Sequence, residues 1–317
     1  MASISSTMTV APPWLWTAFC VGVVVLLLVD LGLFGRSDHK VSRKAALFES
    51  AAWIAIALLF NAWFAANYGG ELGLQFLTGY LVEKSLSLDN LFVILLIFGS
   101  FRIPDKYQHR VLFFGVLGAI VLRAIFIILG AQILQLFHWI LYIFGAILVL
   151  TAIKFLRETD EKIDVKENWA IRVIKRFIPT TNTLHANHFF VVEKGVRKAT
   201  PLFLALVVIE VTDLIFAVDS IPAVFAVTQD AFVAFASNIL AILGLRALYF
   251  VLADWVGKLR YLKPGLAAVL GFIGIKMLIM PLFKIPSWIS LLVIFSILTT
   301  AGLSSWYVAR LETRHLK

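Results

Sequence analysis

The chain returns again and again to apolar stretches of about twenty residues, the length a helix needs to cross a bilayer. Nine stretches read this way, at about 14–34, 46–66, 75–99, 111–131, 136–156, 200–226, 231–252, 264–282 and 287–308. Of the 317 residues, 61% are hydrophobic and 15% are charged, where soluble chains carry about 25% charged residues. Mean hydropathy is +0.93. The expected fold class is therefore an all-α polytopic membrane protein, with residues 1–317 forming a single membrane domain whose first partner is the lipid bilayer. Residues 1–13 hold no Lys or Arg, whereas a secretory signal starts with a basic region. Trp14 to Phe34 thus reads as a first transmembrane helix and not a cleaved leader.

The loops carry the orientation. Segments 35–45, 100–110, 157–199 and 254–263 and the tail after 308 hold nearly all the Lys and Arg outside the apolar stretches. The opposite loops hold Lys284 and little else. The positive-inside rule then predicts an outer N-terminus and a cytoplasmic C-terminus. The net charge of +9 follows from this topology and gives no reason to expect nucleic acid as a partner. Segment 157–199 is the one long loop. Within it, Asn168 to Phe177 predicts a basic amphipathic helix on the membrane surface, and the stretch around Gly195 predicts a short hairpin. His185 and His188 lack a third metal-ligand partner and read as polar loop residues. Cys20, the single cysteine, has no intrachain partner for a disulfide.

Against this apolar background the buried charges stand out. Glu210-Val-Thr-Asp213-Leu-Ile-Phe-Ala-Val-Asp219-Ser220-Ile-Pro222 lies inside the sixth stretch, and Glu83-Lys84-Ser-Leu-Ser-Leu-Asp89-Asn90 inside the third. A charge at mid-membrane costs about 2.5–3.5 kcal/mol on insertion scales, so five such acids call for a purpose. Glu83 and Asp89 share the spacing of Asp213 and Asp219. The two segments therefore read as halves of one site. Pro222 predicts a helix break there, with Asn90 and Ser220 bonding freed backbone groups.

Other stretches repeat as well. Gly115 to Ala124, which contains Arg123, resembles Asn238 to Ala247, which contains Arg246; Gly145 to Lys154 resembles Gly271 to Lys276. Spans three to five (75–156) would thus recur as spans six to eight (200–284), leaving 285–317 as a last span and tail. A repeat of three spans must invert its topology, a pattern found in secondary transporters whose sites lie at the repeat interface near mid-membrane.

Glu83, Asp89, Asn90, Glu210, Asp213, Asp219 and Ser220 offer hard oxygen donors, which suit Mg²⁺, Ca²⁺ or Mn²⁺; the ligand type does not separate these ions. A competing reading is a structural ion-pair network that also draws in Arg123, Arg246, Lys84, Lys154 and Lys276. The two readings are compatible if Arg123 and Arg246 hold the carboxylates and release them to an arriving cation. Lys154 and Lys276 also lie near span ends, where long basic side chains snorkel. Asp30 and Asn61 read as helix-packing contacts. An aspartyl-protease dyad lacks a Gly-x-Gly-Asp beside either aspartate, so no enzyme is expected.

The Glu83 and Glu210 motifs, together with Ala-Ile-Leu-Gly-Leu-Arg246-Ala-Leu-Tyr-Phe, resemble the TerC family of integral membrane proteins and, within it, the Alx branch. The family is placed in the LysE-type transporter superfamily. The resemblance covers nearly the whole chain. It implies manganese export across a bacterial inner membrane, with Mn²⁺ as transported substrate and no tightly bound cofactor, and it matches Glu83, Asp89, Glu210, Asp213 and Asp219 to the family's intramembrane acids. Proton coupling through these carboxylates is expected. A second reading from the same resemblance is a membrane partner protein that supports metallation of exported proteins or tellurite and stress resistance, docking its partner on 157–199.

Overall fold

The computed structural model describes residues 9–34, 43–137, 139–157, 172, 176, 178–181, 183–184, 187–193, 195–252, 261–283 and 285–315. The helices are α1 (Pro13–Phe34), α2 (Arg43–Tyr68), α3 (Gly70–Phe101), α4 (Asp105–Leu136), α5 (Ile140–Arg157), α6 (Pro201–Val227), α7 (Ala231–Leu243), α8 (Leu245–Leu252), α9 (Leu262–Ile279) and α10 (Ser287–His315). Each of the nine apolar stretches is helical. Seven segments among the described residues are long and apolar enough to cross a membrane; they lie in α1, α2, α4, α5, α6, the α7–α8 pair and α10.

Burial sorts the helices. Every residue of α7 is buried, as expected for a helix that is apolar on all sides. Helices α2, α3 and α4 pack around it, and α5 lies along α9. On the outside, Phe48, Leu59, Leu150, Leu156, Leu292 and Leu303 are exposed, and lipid is the environment that accepts such side chains. Helices α5 and α9 approach until backbone meets backbone. A Cβ on Gly274 would stand 2.8 Å from the Gly145 carbonyl oxygen, and one on Gly145 would stand 3.0 Å from that of Gly274. Small residues permit such close crossings in membranes.

The contacts between helices pair off. Helix α3 packs on α6, and α4 on α7 and α8; α3 meets α7 as α4 meets α6. The turns at one end of the bundle are stitched together: Asp230 caps α7 through the Phe232 and Val233 amides, both at 2.9 Å, and accepts from the Val10 amide at 2.6 Å. Thr228 donates to Gln75 at 2.7 Å beside them. At the other end, the hairpin β1 (Phe190–Glu193) and β2 (Val196–Ala199) turns at Gly195, which has φ 77°, where the sequence placed it. Phe189 lies edge-on to Phe114 of α4 and beneath the Arg110 guanidinium. Of the amphipathic stretch 168–177, all but Arg172 and Arg176 lies outside the described residues, as does His185.

The expected break at Pro222 is absent, since α6 runs unbroken from Pro201 to Val227. Proline deletes one backbone bond, and in a membrane bundle neighbouring helices compensate; here Ser220, Ile221, Ala223 and Val224 are all buried among them. The interruption lies in span seven, at Gly244 between α7 and α8. A Cβ there would meet Trp53 at 2.9 Å and the Lys84 ammonium at 3.1 Å. The Ala241 carbonyl next to the break accepts from Lys84 Nζ at 2.9 Å.

Candidate functional site

Four helices bring their polar residues together near mid-bundle: α3 (Glu83, Asn90), α4 (Arg123), α6 (Asp213, Ser220) and α7 (Asn238). Arg123 is the hub, at 1% exposure. Its NH1 donates to Glu83 Oε1, to Ser220 Oγ at 3.2 Å and to Asn238 Oδ1 at 3.5 Å, and its NH2 donates to Asp213 Oδ1 at 3.2 Å. Asn238 Nδ2 donates to the other Glu83 oxygen at 2.7 Å, and Asn90 Nδ2 to Asp213 Oδ1 at 3.1 Å. Glu83, fully enclosed, is thus held through both oxygens.

The network leaves acceptors over. Asp213 Oδ2 and Asn90 Oδ1 are buried without a hydrogen-bond partner, and a buried polar atom left unpaired costs about 1–3 kcal/mol. Two cavities adjoin here. One, of about 30 Å³, is lined by Asn90, Thr212, Asp213 and Phe216 among apolar neighbours. The other, of about 10 Å³, is lined by Asn90, Arg123, Phe216, Asp219 and Ser220. Asn90 and Phe216 wall both. One water needs at least about 10–15 Å³, so the larger cavity, of about 30 Å³, has room for about two water-sized groups or a dehydrated ion, and the smaller, of about 10 Å³, for about one oxygen.

Other expected site residues stand apart from the hub. Asp219 accepts from Thr151 of α5 at 2.8 Å and interacts electrostatically with Lys154. Glu210 lies in a slot above Gly118, where a Cβ would come within 2.1–2.4 Å of its carboxylate atoms. The Asp89 side chain lies outside the described part of the structure, although its backbone continues α3. Lys84 bonds a carbonyl and not an acid, and Lys276 faces the charge of Glu71. Among the described residues no three of the metal-ligating types converge on one point; Glu83 and Asp213 are spread on either side of a guanidinium.

Arg246 departs most from expectation. The partners described for it lie elsewhere than Glu83, Glu210, Asp213 and Asp219, and Asp30 is more than a packing contact. Arg246 NH2 donates to Asp30 of α1 and to Glu49 of α2, the latter at 2.8 Å, and NH1 meets His109 Nε2 of α4 at 2.6 Å. A histidine therefore does sit among buried acids. Asn238, Thr151, Glu49 and His109 went unmarked in the sequence. Asn238 carried a legible signal, as a lone amide inside an apolar span; Glu49 and His109 lie near span ends, where charge is ordinary.

Comparison with known proteins follows the same lines. Residues 68–313 match the family described as "Integral membrane protein TerC family". The chain is 48% identical to an uncharacterized membrane protein of Myxococcus xanthus, over 95% of both chains. It is 47% and 46% identical to proteins of Salmonella typhi and Escherichia coli K12, each named "Putative membrane-bound redox modulator Alx", over 94% of this chain and 96% of theirs. No solved structure matches it. The chain belongs to the TerC family of integral membrane proteins.

Proposed function

We propose that the protein is a secondary transporter that moves a hard divalent cation, Mn²⁺ in the first instance, out across the bacterial inner membrane through the Glu83–Asp213 site. The observation that carries this is the pair of buried, unpartnered acceptors, Asp213 Oδ2 and Asn90 Oδ1, on adjoining cavities. Oxygen atoms in that setting are what a hard cation replaces water with. Arg123 neutralises Glu83 and Asp213 between turnovers, and an arriving dication displaces the guanidinium because it brings twice the charge to the same oxygens. Asp219, Glu210 and Asp89 serve as neighbouring stations. The paired packing of α3 with α6 and of α4 with α7–α8 supports an inverted repeat, nine crossings and alternating access around this point. Moving a redox-active metal ion is also compatible with the redox modulation in the names of the relatives.

Total manganese in manganese-loaded cells, read by elemental mass spectrometry, tests the proposal. Cells with the wild-type chain are expected to hold less manganese than empty-vector cells, and an equally expressed Asp213→Asn variant is expected to match the vector. Equal manganese in all three, with magnesium and calcium unchanged, would overturn it.

A further inference from the structure

The Arg246 cluster lies outside the cation site and has a chemistry of its own. Asp30, Glu49 and Arg246 are 8%, 6% and 3% exposed, and neither cavity beside Arg123 reaches them. Four helices each contribute one group: Asp30 from α1, Glu49 from α2, His109 from α4 and Arg246 from α8. Both carboxyl groups accept from one guanidinium nitrogen, NH2 of Arg246, which brings them close together. Carboxyl groups this close do not both ionise readily. His109 does not supply the missing positive charge. A guanidinium only donates, so Nε2 accepts from Arg246, and the ring stays neutral with its proton on Nδ1. Beside the cluster, Tyr249 donates to Gln108 at 2.8 Å, an uncharged pair. Among the described residues, two carboxyl groups thus meet at one guanidinium nitrogen, a setting that favours a proton on one of them.

We propose that the Asp30–Glu49 pair, held by Arg246 and His109, is a proton-binding site of the protein, separate from Glu83 and Asp213. Its role as the coupling site rests on the transport reading above; the bound proton itself does not. The geometry supplies a link between the two. The broken helix α7–α8 carries Asn238 to Glu83 on one side of Gly244 and Arg246 to Asp30 and Glu49 on the other. Loss of the proton leaves two negative charges crowded at one guanidinium nitrogen, which favours separation of Asp30 on α1 from Glu49 on α2 and so changes how Arg246 of α8 is held. A change in how α8 is held is felt at Asn238.

Infrared spectroscopy of the full chain in lipid nanodiscs, without metal, reads the proton directly. The wild type is expected to show the carbonyl band of a protonated carboxyl group that Asp30→Asn and Glu49→Gln each remove, because the remaining acid then has Arg246 to itself and ionises. An unchanged band in a folded variant of either kind overturns the site. The two variants alter different helices, so one that fails to fold leaves the other decisive. In proteoliposomes, manganese-driven proton movement is expected to fall to background in both variants while manganese binding at equilibrium is kept. A lost band with unchanged proton movement overturns the coupling role and keeps the site. A wild type that neither binds nor moves manganese overturns the transport reading, while the infrared result still decides the proton site.

Discussion

Replacing Arg123 with methionine separates a cation site from a purely structural ion-pair network. The substitution keeps an unbranched apolar stem and removes the charge that Glu83, Ser220, Asp213 and Asn238 share. At the 3.2 Å separation from Asp213, the lost attraction is about 5 kcal/mol at an effective dielectric of about 20, before desolvation. Stranding one partner of a buried pair costs about 3–5 kcal/mol in measured cases. Without metal, the variant should therefore melt well below the wild type. With metal, the order of benefit should reverse. A dication binding the bared carboxylates no longer competes with the guanidinium, and at a hundred times its Kd it stabilises by about 2.7 kcal/mol. Thermal unfolding of the solubilised chain, with and without excess Mn²⁺, reads both effects. The expected result is a larger Mn²⁺-induced shift in Arg123→Met than in the wild type, abolished when Glu83→Gln is added. A folded Arg123→Met protein that gains no more from Mn²⁺ than the wild type would show that Glu83 and Asp213 serve only to pair with Arg123.

Gly118→Ala would force the Glu210 carboxylate out of its slot; because the displaced atoms end a flexible side chain, manganese flux should fall while the melting temperature changes little. Lys84→Met leaves the Ala241 carbonyl beside the helix break without its donor and should cost about 1–3 kcal/mol in thermal unfolding. Gly274→Ala drives a methyl group into the Gly145 carbonyl, a backbone atom that does not swing aside, and should destabilise by about 1–3 kcal/mol, again read by unfolding.

The apolar stretches were legible because apolar length is a property of consecutive residues, and each predicted stretch is helical, the seventh with a break at Gly244. Glu83, Asp213, Asn90, Ser220 and Arg123 were legible for a related reason: a polar group inside an apolar run needs a partner, and mid-membrane partners must be other such groups. What stayed hidden depends on distant parts of the chain. Pro222 is locally a helix breaker, yet α6 runs through it unbroken among its neighbours; Gly244 is locally unremarkable, yet the helix is interrupted there, where Trp53 and Lys84 leave no room for a side chain. Arg246 was read, with Arg123, as a partner of the five acids in the third and sixth stretches. Its carboxylates come from helices 216 and 197 residues away, outside the stretches that repeat, and nothing in local spacing points to them.

Arg123 and Arg246 sit at matching places in similar runs, and each gathers two carboxyl groups, so their differences carry the argument. Around Arg123 the acids are held by different nitrogens of the guanidinium, an amide holds one of them, and two acceptors are left facing cavities. Around Arg246 the two carboxyl groups meet at the same nitrogen, and a neutral imidazole accepts from the other. Separated carboxylates with spare acceptors favour a multivalent ion, which spans the gap a proton cannot. Carboxyl groups crowded at one nitrogen favour a proton, which needs no more room than the hydrogen bond it makes. If the two runs descend from one repeat, the recruitment of α1 and α2 to the second arginine is what sets the two positions apart.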